Sequence, residues 1–174
     1  ITVTPTFENG GVSCTGPATP FEITVNPTAQ VNPTVDMVVT DGDDVDIPFS
    51  TINTGGTSTY TWTNTDPTTG LTNTGSSDIG FTAVNTGTSP ITTTVVVTPT
   101  FENGGNSNSG PTDTFIITVN PTAQIDTIEN IVVCDEDIIN PIVFTTENTG
   151  GVTTYSWTNA VSYTHLRAHE TTCD

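Results

Sequence analysis

Few side chains in this sequence could carry out chemistry. The densest group is acidic: Asp41, Asp43, Asp44 and Asp46, within DGDDVD. Carboxylates this close are what a hard cation takes, and Ca2+ needs six to eight oxygens drawn from several segments. The stretch lacks the closing Glu of an EF-hand loop, so that motif is absent. The four carboxylates read first as a solvated turn at a sheet edge and second as candidate metal ligands, with Ca2+ the ion they would hold. Residues 135–137, Asp-Glu-Asp, repeat the acidity further along. A Ser or Cys nucleophile needs a base, usually His, and both histidines, His165 and His169, lie in a tail set apart below. Glycoside hydrolysis needs two carboxylates across a cleft, and the acids here are scattered over turns. The expectation is no catalytic residue and no cofactor. Trp62 reads as core filling, with sugar stacking as the rival role.

What must position these residues is a repeat. Residues 97–124, VTPTFENGGNSNSGPTDTFIITVNPTAQ, nearly reproduce residues 3–30, VTPTFENGGVSCTGPATPFEITVNPTAQ, at an offset of 94. Residues 53–64, NTGGTSTYTWTN, recur as residues 148–159, NTGGVTTYSWTN, at an offset of 95. Such self-similarity is read before anything else. It implies a tandem array with a unit of about 95 residues. The segments are then the tail of one unit at 1–26, a complete unit at 27–120 and the head of a third at 121–159. Neither end looks like a natural terminus.

Within the complete unit the apolar residues alternate, as in half-buried strands. Residues 35–41 read as a first strand and 44–51 as a second, with Val45, Ile47 and Phe49 on one face. Tyr60 and Trp62 point inward from 58–64. Ile79, Phe81 and Ala83 do so from 78–84, and Ile91, Val95, Val97 and Phe101 from 90–101. Phe115, Ile117 and Val119 close the unit from 114–119. Pro99 lacks a donor, so pairing should loosen there. Asn53-Thr-Gly-Gly and Asn103-Gly-Gly are turn signals. About seven short strands predict an all-β, immunoglobulin-like antiparallel β-sandwich, one copy complete and two partial. The expected core is Phe49, Trp62, Phe81, Val95, Val97 and Ile117. The 1–26 segment can offer a two-strand hairpin and 121–159 about three strands.

Composition narrows the function classes. Forty-two of the 174 residues are Thr, and Asn, Gly, Pro and Val are plentiful, which suits sheets and turns. The chain holds 19 Asp and Glu against one Lys or Arg, a net charge of −18. Nucleic-acid binding needs basic side chains to neutralise phosphate, so it is excluded as a partner class. Anionic membrane surfaces are disfavoured for the same reason, and no apolar run is long enough for a membrane-spanning helix. The single Arg, Arg167, and both histidines fall in VSYTHLRAHET, residues 161–171. That run resembles the translation of a transposon sequencing adapter. Residues 160–174, Cys173 included, are therefore set aside as an artefact of assembly; the rival is a short tail with a His-x3-His metal pair.

TYTWTNTDPTTGL, GFTAVNTGTSPITTTVVVTPTFENGG and TFIITVNPTAQ resemble the PKD-like, immunoglobulin-type repeats of large Bacteroidetes surface proteins. The resemblance covers residues 1–159. It implies a spacer repeat in an exported, adhesin-like protein of the cell surface, often gliding-motility-associated and leaving the cell by type IX secretion. Its partners would be neighbouring repeats of the same chain, with surface glycans or proteins at most. The alternative is a glycan- or Ca2+-binding module attached to a secreted enzyme. Asp126-Thr127-Ile128 also fits the short O-glycosylation acceptor pattern of those organisms.

The cysteines add one geometric expectation. At the 94-residue offset Cys14 corresponds to Asn108 and Cys134 to Thr40, so the complete unit lacks both. One disulfide per unit would account for this, with Cys14 and Cys134 here half-cystines whose partners are lost. An exported, oxidising setting fits such a bridge. Thr40 and Asn108 should then be neighbours, close to the ~3.5–4.5 Å between Cβ atoms that a disulfide spans.

Overall fold

The computed structural model describes residues 1–134 and 136–159, and most of its strands lie within residues 27–120, the segment read above as the complete unit. The described residues form twelve strands. β1 (Thr2–Val3), β2 (Thr6–Asn9), β3 (Val12–Thr15) and β4 (Thr19–Pro20) belong to the first segment. The complete unit follows with β5 (Met37–Thr40), β6 (Asp44–Ile47), β7 (Thr57–Asn64), β8 (Thr74–Ser76), β9 (Ile79–Thr82), β10 (Ile91–Asn103), β11 (Asn106–Ser109) and β12 (Asp113–Asn120). One sheet runs β5-β12-β10-β7-β8, with β11 also paired to β10; β6 and β9 form the facing layer. The fold is all-β and sandwich-like, as the alternation predicts.

The interior joins the two layers. Val45, Ile47 and Ile79 from the small sheet meet Trp62, Val95, Val97, Phe115, Ile117 and Val119 from the large one, all buried. Leu71 fills the space from the loop after a 3-10 turn at Pro67–Thr69. Four of the six expected core residues are buried: Trp62, Val95, Val97 and Ile117. Phe49 and Phe81 are only half-buried and pack on the margin of the core. Phe49 lies two residues beyond the end of β6 and lays its ring on Tyr60, centroids 5.5 Å apart, at the edge of the core. Phe81 lies opposite Val45 in a sheet only two strands wide, which cannot cover a ring of that size on every side.

Three features depart from expectation. The unit is not wholly antiparallel: β5 runs parallel to β12, Met37 opposite Ile117 and Thr40 opposite Asn120. Such a pair needs a long crossover, which the rest of the unit supplies. Pairing also continues through Pro99, opposite Tyr60 on β7. Tyr60 sends its carbonyl to Ser77 on the other side, so this pair makes no demand on the missing Pro99 donor. On the opposite edge β10 does change partner there, from β12 up to Val97 to β11 from Thr100. Finally, no strand is assigned among the described residues of 121–159, where about three were expected.

The first segment keeps more of its pattern. β2 and β3 form a hairpin, Phe7 opposite Cys14, in the register of Phe101 opposite Asn108. β1 and β4 pair Val3 with Thr19, matching Val97 with Asp113. Phe7 is 73% exposed, however, whereas Phe101 is 1% exposed.

Candidate functional site

The acidic cluster is taken up by the turn it forms. Asp43 accepts the Thr40 amide at 2.7 Å and Asp44 accepts the Thr82 hydroxyl at 2.8 Å. Asp41 turns the other way and accepts the Asn85 amide at 2.8 Å and the Thr122 hydroxyl at 3.0 Å. Asp46 is exposed in β6. Asp41, Asp43 and Asp44 are thus directed to different partners, and among the described residues no group of three or more His, Cys, Asp or Glu is arranged to hold a metal ion.

The cysteine expectation is overturned by the register. Thr40 lies opposite Asn120, beside Ile91 and Val119, while Asn108 lies opposite Phe101. Ile91 and Phe101 are ten residues apart on β10, about 33 Å at ~3.3 Å per residue. Thr40 and Asn108 therefore sit at opposite poles of the unit, and no disulfide spans them. Cys14 is a free, exposed thiol, as expected. Cys134 is disulfide-bonded, which corrects the expectation of a half-cystine without a partner. The pairing assumed for it, across a unit, is the one the poles rule out. His165, His169, Arg167 and Cys173, with the whole 160–174 tail, lie outside the described residues, as does Asp135.

What the structure does bring together is the pole at which the unit meets the next segment. Asn85, 3% exposed, donates to Ser89 O and Val119 O and accepts the Gly87 amide. This fixes the loop before β10. The linker that follows β12 is tied to the body by the Thr122–Asp41 bond. Beyond it the Thr149 amide donates to Thr88 O at 2.8 Å. A cleft of about 350 Å3 lies here, lined by Pro90, Asn120, Pro121, Asn148 and Gly150 among others, with no titratable side chain in its wall.

A second contact set occurs twice. The Asn53 side chain accepts the Gln30 amide at 2.7 Å and donates to Thr28 O at 3.1 Å. The Asn148 side chain accepts the Gln124 amide at 2.6 Å and donates to Thr122 O at 3.2 Å. Each Asn is in turn held by a Thr two residues before it, Thr51 or Thr146. Both PTAQ linkers are therefore clasped by the body that follows them. At the first linker Asn26 also reaches forward: its Nδ2 donates to Asn103 O at 3.0 Å, and its Oδ1 accepts from Asn103 Nδ2. The Asn108 side chain adds a bond to Pro27 O.

Sequence reading missed these junction residues because Asn, Thr and Ser look alike in any β-rich loop. The one available signal was that Asn53 and Asn148 repeat with their linkers. It also missed Asn64, which is buried and donates to Leu71 O and Asp66 O while accepting from the Thr93 hydroxyl. Trp62 is 6% exposed, and its indole N–H has no partner. Two ionisations are moved by this architecture. Burial, and secondarily the Asp78 carboxylate, push the Tyr60 phenol above its usual value. The hydroxyl and amide of Thr68 hold the Asp66 carboxyl below its usual value. No family model, curated protein or solved structure matches this chain.

Proposed function

We propose that the chain is a spacer segment of an exported, adhesin-like bacterial surface protein, made of PKD-like immunoglobulin-type units in tandem. Its role is to hold a distal binding region away from the cell, with weak adhesion to surface glycans or proteins as an accessory property and no catalysis. The observation that carries this reading is the clasp built twice, Asn53 on the 28–30 linker and Asn148 on the 122–124 linker. A side chain that fixes a linker to the following body, together with Asp41 fixing it to the preceding one, suits a chain whose task is to keep units in line. Residues 1–159 carry no Lys, Arg or His, which suits a solvated extracellular surface.

The complete reading frame tests the proposal. A C-terminal sorting region and further copies of the unit support it; a catalytic domain joined to these repeats would recast them as an enzyme's linker. Calcium separates the rival reading. If the Asp41–Asp46 carboxylates serve the turn, millimolar Ca2+ leaves the melting temperature unchanged. A rise of many degrees that chelator reverses would establish a binding module, because only a ligand bound to the folded state stabilises it.

A further inference from the structure

The chain has one Asp-Pro bond, Asp66–Pro67, set between β7 and the 3-10 turn at Pro67–Thr69. Every residue that touches it belongs to the complete unit. The carbonyl oxygen of this bond, Asp66 O, accepts from two side chains: Thr69 Oγ1 at 2.8 Å and Asn64 Nδ2 at 3.1 Å. Both donors are fixed. Thr69 is fully buried. Asn64, 8% exposed, also donates to Leu71 O at 2.8 Å and accepts the Thr93 hydroxyl. Two preorganised donors on one carbonyl are what stabilises an oxyanion when that carbonyl is attacked. An attacking group stands beside it, the carboxyl of Asp66 itself, which closes a five-membered ring when it adds to its own backbone carbonyl. Thr68 takes up Oδ1, its hydroxyl at 2.7 Å and its amide at 2.9 Å. Among the described residues nothing donates to Oδ2, so that oxygen is free to add. Pro67 is exposed, so water reaches the bond. Its nitrogen belongs to a tertiary amide, and as a dialkylamine it leaves readily once protonated.

We propose that Asp66–Pro67 is a self-cleavage site. The protonated Asp66 carboxyl adds through Oδ2 to the Asp66 carbonyl carbon, and Thr69 and Asn64 hold the oxyanion. The carboxyl proton passes to the Pro67 nitrogen, the C–N bond breaks, and Pro67 becomes a free N-terminus. The cyclic anhydride left on Asp66 takes up one water and opens to two carboxyls, the side chain and a new C-terminus. Water is the only co-reactant. The groups that meet Asp66 are Asn64 from β7, Thr68 in the turn and Thr93 from β10, none of them titratable. The Thr68 hydroxyl and amide hold the carboxyl below its usual value, so it is ionised and the bond is stable near neutral pH. Cleavage sets in as acid returns the proton. The cut leaves β5, β6 and β7 on one piece and β8 to β12 on the other. β5 pairs with β12, β6 with β9, and β7 with β8 and β10, so every ladder of the first piece's three strands crosses the cut. The nicked unit stays together by pairing and core alone. It becomes a joint that tension can part, where the intact unit would only unfold. The step is a single turnover on the chain itself and does not depend on the surface-protein reading.

The test follows the full chain by mass spectrometry at the lowest pH at which circular dichroism shows the native fold. The same chain unfolded in guanidinium chloride at that pH reports the intrinsic lability of an Asp-Pro bond. The expected products are residues 1–66 and 67–174, the second beginning Pro-Thr-Thr-Gly. Cleavage should be about tenfold or more faster in the folded chain than in the unfolded one, within what a single oxyanion donor contributes. Asp66→Ala should abolish it. Thr69→Val removes one donor and should bring the folded rate down toward that of its own unfolded chain. Thr68→Val alters an exposed residue and leaves both carbonyl donors in place, so it should move the pH profile of cleavage upward. A folded chain that cleaves no faster than the unfolded one overturns the proposal. So does an unshifted profile in Thr68→Val, which would mean that the Asp66 carboxyl is not the reacting group.

Discussion

Trp62 and Trp157 occupy the same position in two copies of one twelve-residue stretch, yet Trp62 is 6% exposed and Trp157 is 73% exposed. The difference is not in the local geometry. Phe49 packs on Tyr60 with ring centroids 5.5 Å apart, and Phe144 packs on Tyr155 at 5.6 Å. The turn before β6 is also built twice: Thr40 N–H to Asp43 at 2.7 Å and Cys134 N–H to Asp137 at 2.8 Å. Even the left-handed residue inside that turn is kept, Gly42 at φ 88° and Glu136 at φ 70°. A non-Gly side chain is uncommon there, so the hydrogen bonds hold the turn against an unfavourable residue. Contacts made within a few residues, or between a linker and the body beside it, therefore form in both copies. Burial of the Trp does not, because Trp62 lies between β8 and β10, which follow it in the unit, Gly75 under its ring and Val97 opposite it. Short-range order is written in each stretch, whereas the core is written only in the whole.

The largest test of this contrast is truncation of each Trp. Trp62→Ala should cost about 3–5 kcal/mol, whereas Trp157→Ala should stay within about 0.5 kcal/mol. Urea unfolding followed by circular dichroism measures both, and similar losses would mean that the third segment has a core of its own. Gly75→Ala comes next. A Cβ on Gly75 would lie 2.1 Å from the Trp62 ring, and relieving that overlap should cost about 1–3 kcal/mol; an unchanged denaturation midpoint would show that the ring can move. Asp41→Asn should cost about 1.5–3 kcal/mol, the range for hydrogen bonds to a charged group. It should speed hydrogen exchange at the Asn85 amide while leaving the Gln30 amide, held by Asn53, as it was.

The smallest effect is a pH dependence at Tyr60. Its folded-state value is raised, so the neutral phenol is favoured in the folded unit. The associated stability is fully present below the unfolded value of about 10 and is lost as pH rises through the folded one. Tyr60→Phe should flatten the fall in melting temperature above about pH 10; an identical alkaline slope in both proteins would assign the loss to other groups.

Much of the fold was legible because alternation reports which face of a strand is covered. Val95, Val97 and Ile117 could be placed in the core from spacing alone, and all three are 0% exposed. Alternation does not report how much cover a ring receives, so Phe49 and Phe81 were overrated at the margin of the small sheet. Nor does it carry strand direction, which is why the parallel β5–β12 pair was not foreseen. β8 and β11, rich in Gly, Ser and Asn, have no apolar face to announce them. The Thr40–Asn108 expectation failed for a related reason: it took a correspondence between repeats as evidence of proximity within one, and only the register supplies that distance.

The parallel pairing of β5 with β12 has a consequence for a unit drawn out from both ends. The chain enters ahead of β5 and leaves after β12, so tension pulls these two neighbours along their length in opposite senses. Their ladder, from Met37–Ile117 to Thr40–Asn120, would then be loaded in shear, with every bond strained together. An antiparallel hairpin pulled at its open end is peeled one bond after another. Short as it is, this four-residue ladder is the natural mechanical lock of the unit, and it closes beside the Asp41 tether that holds the outgoing linker.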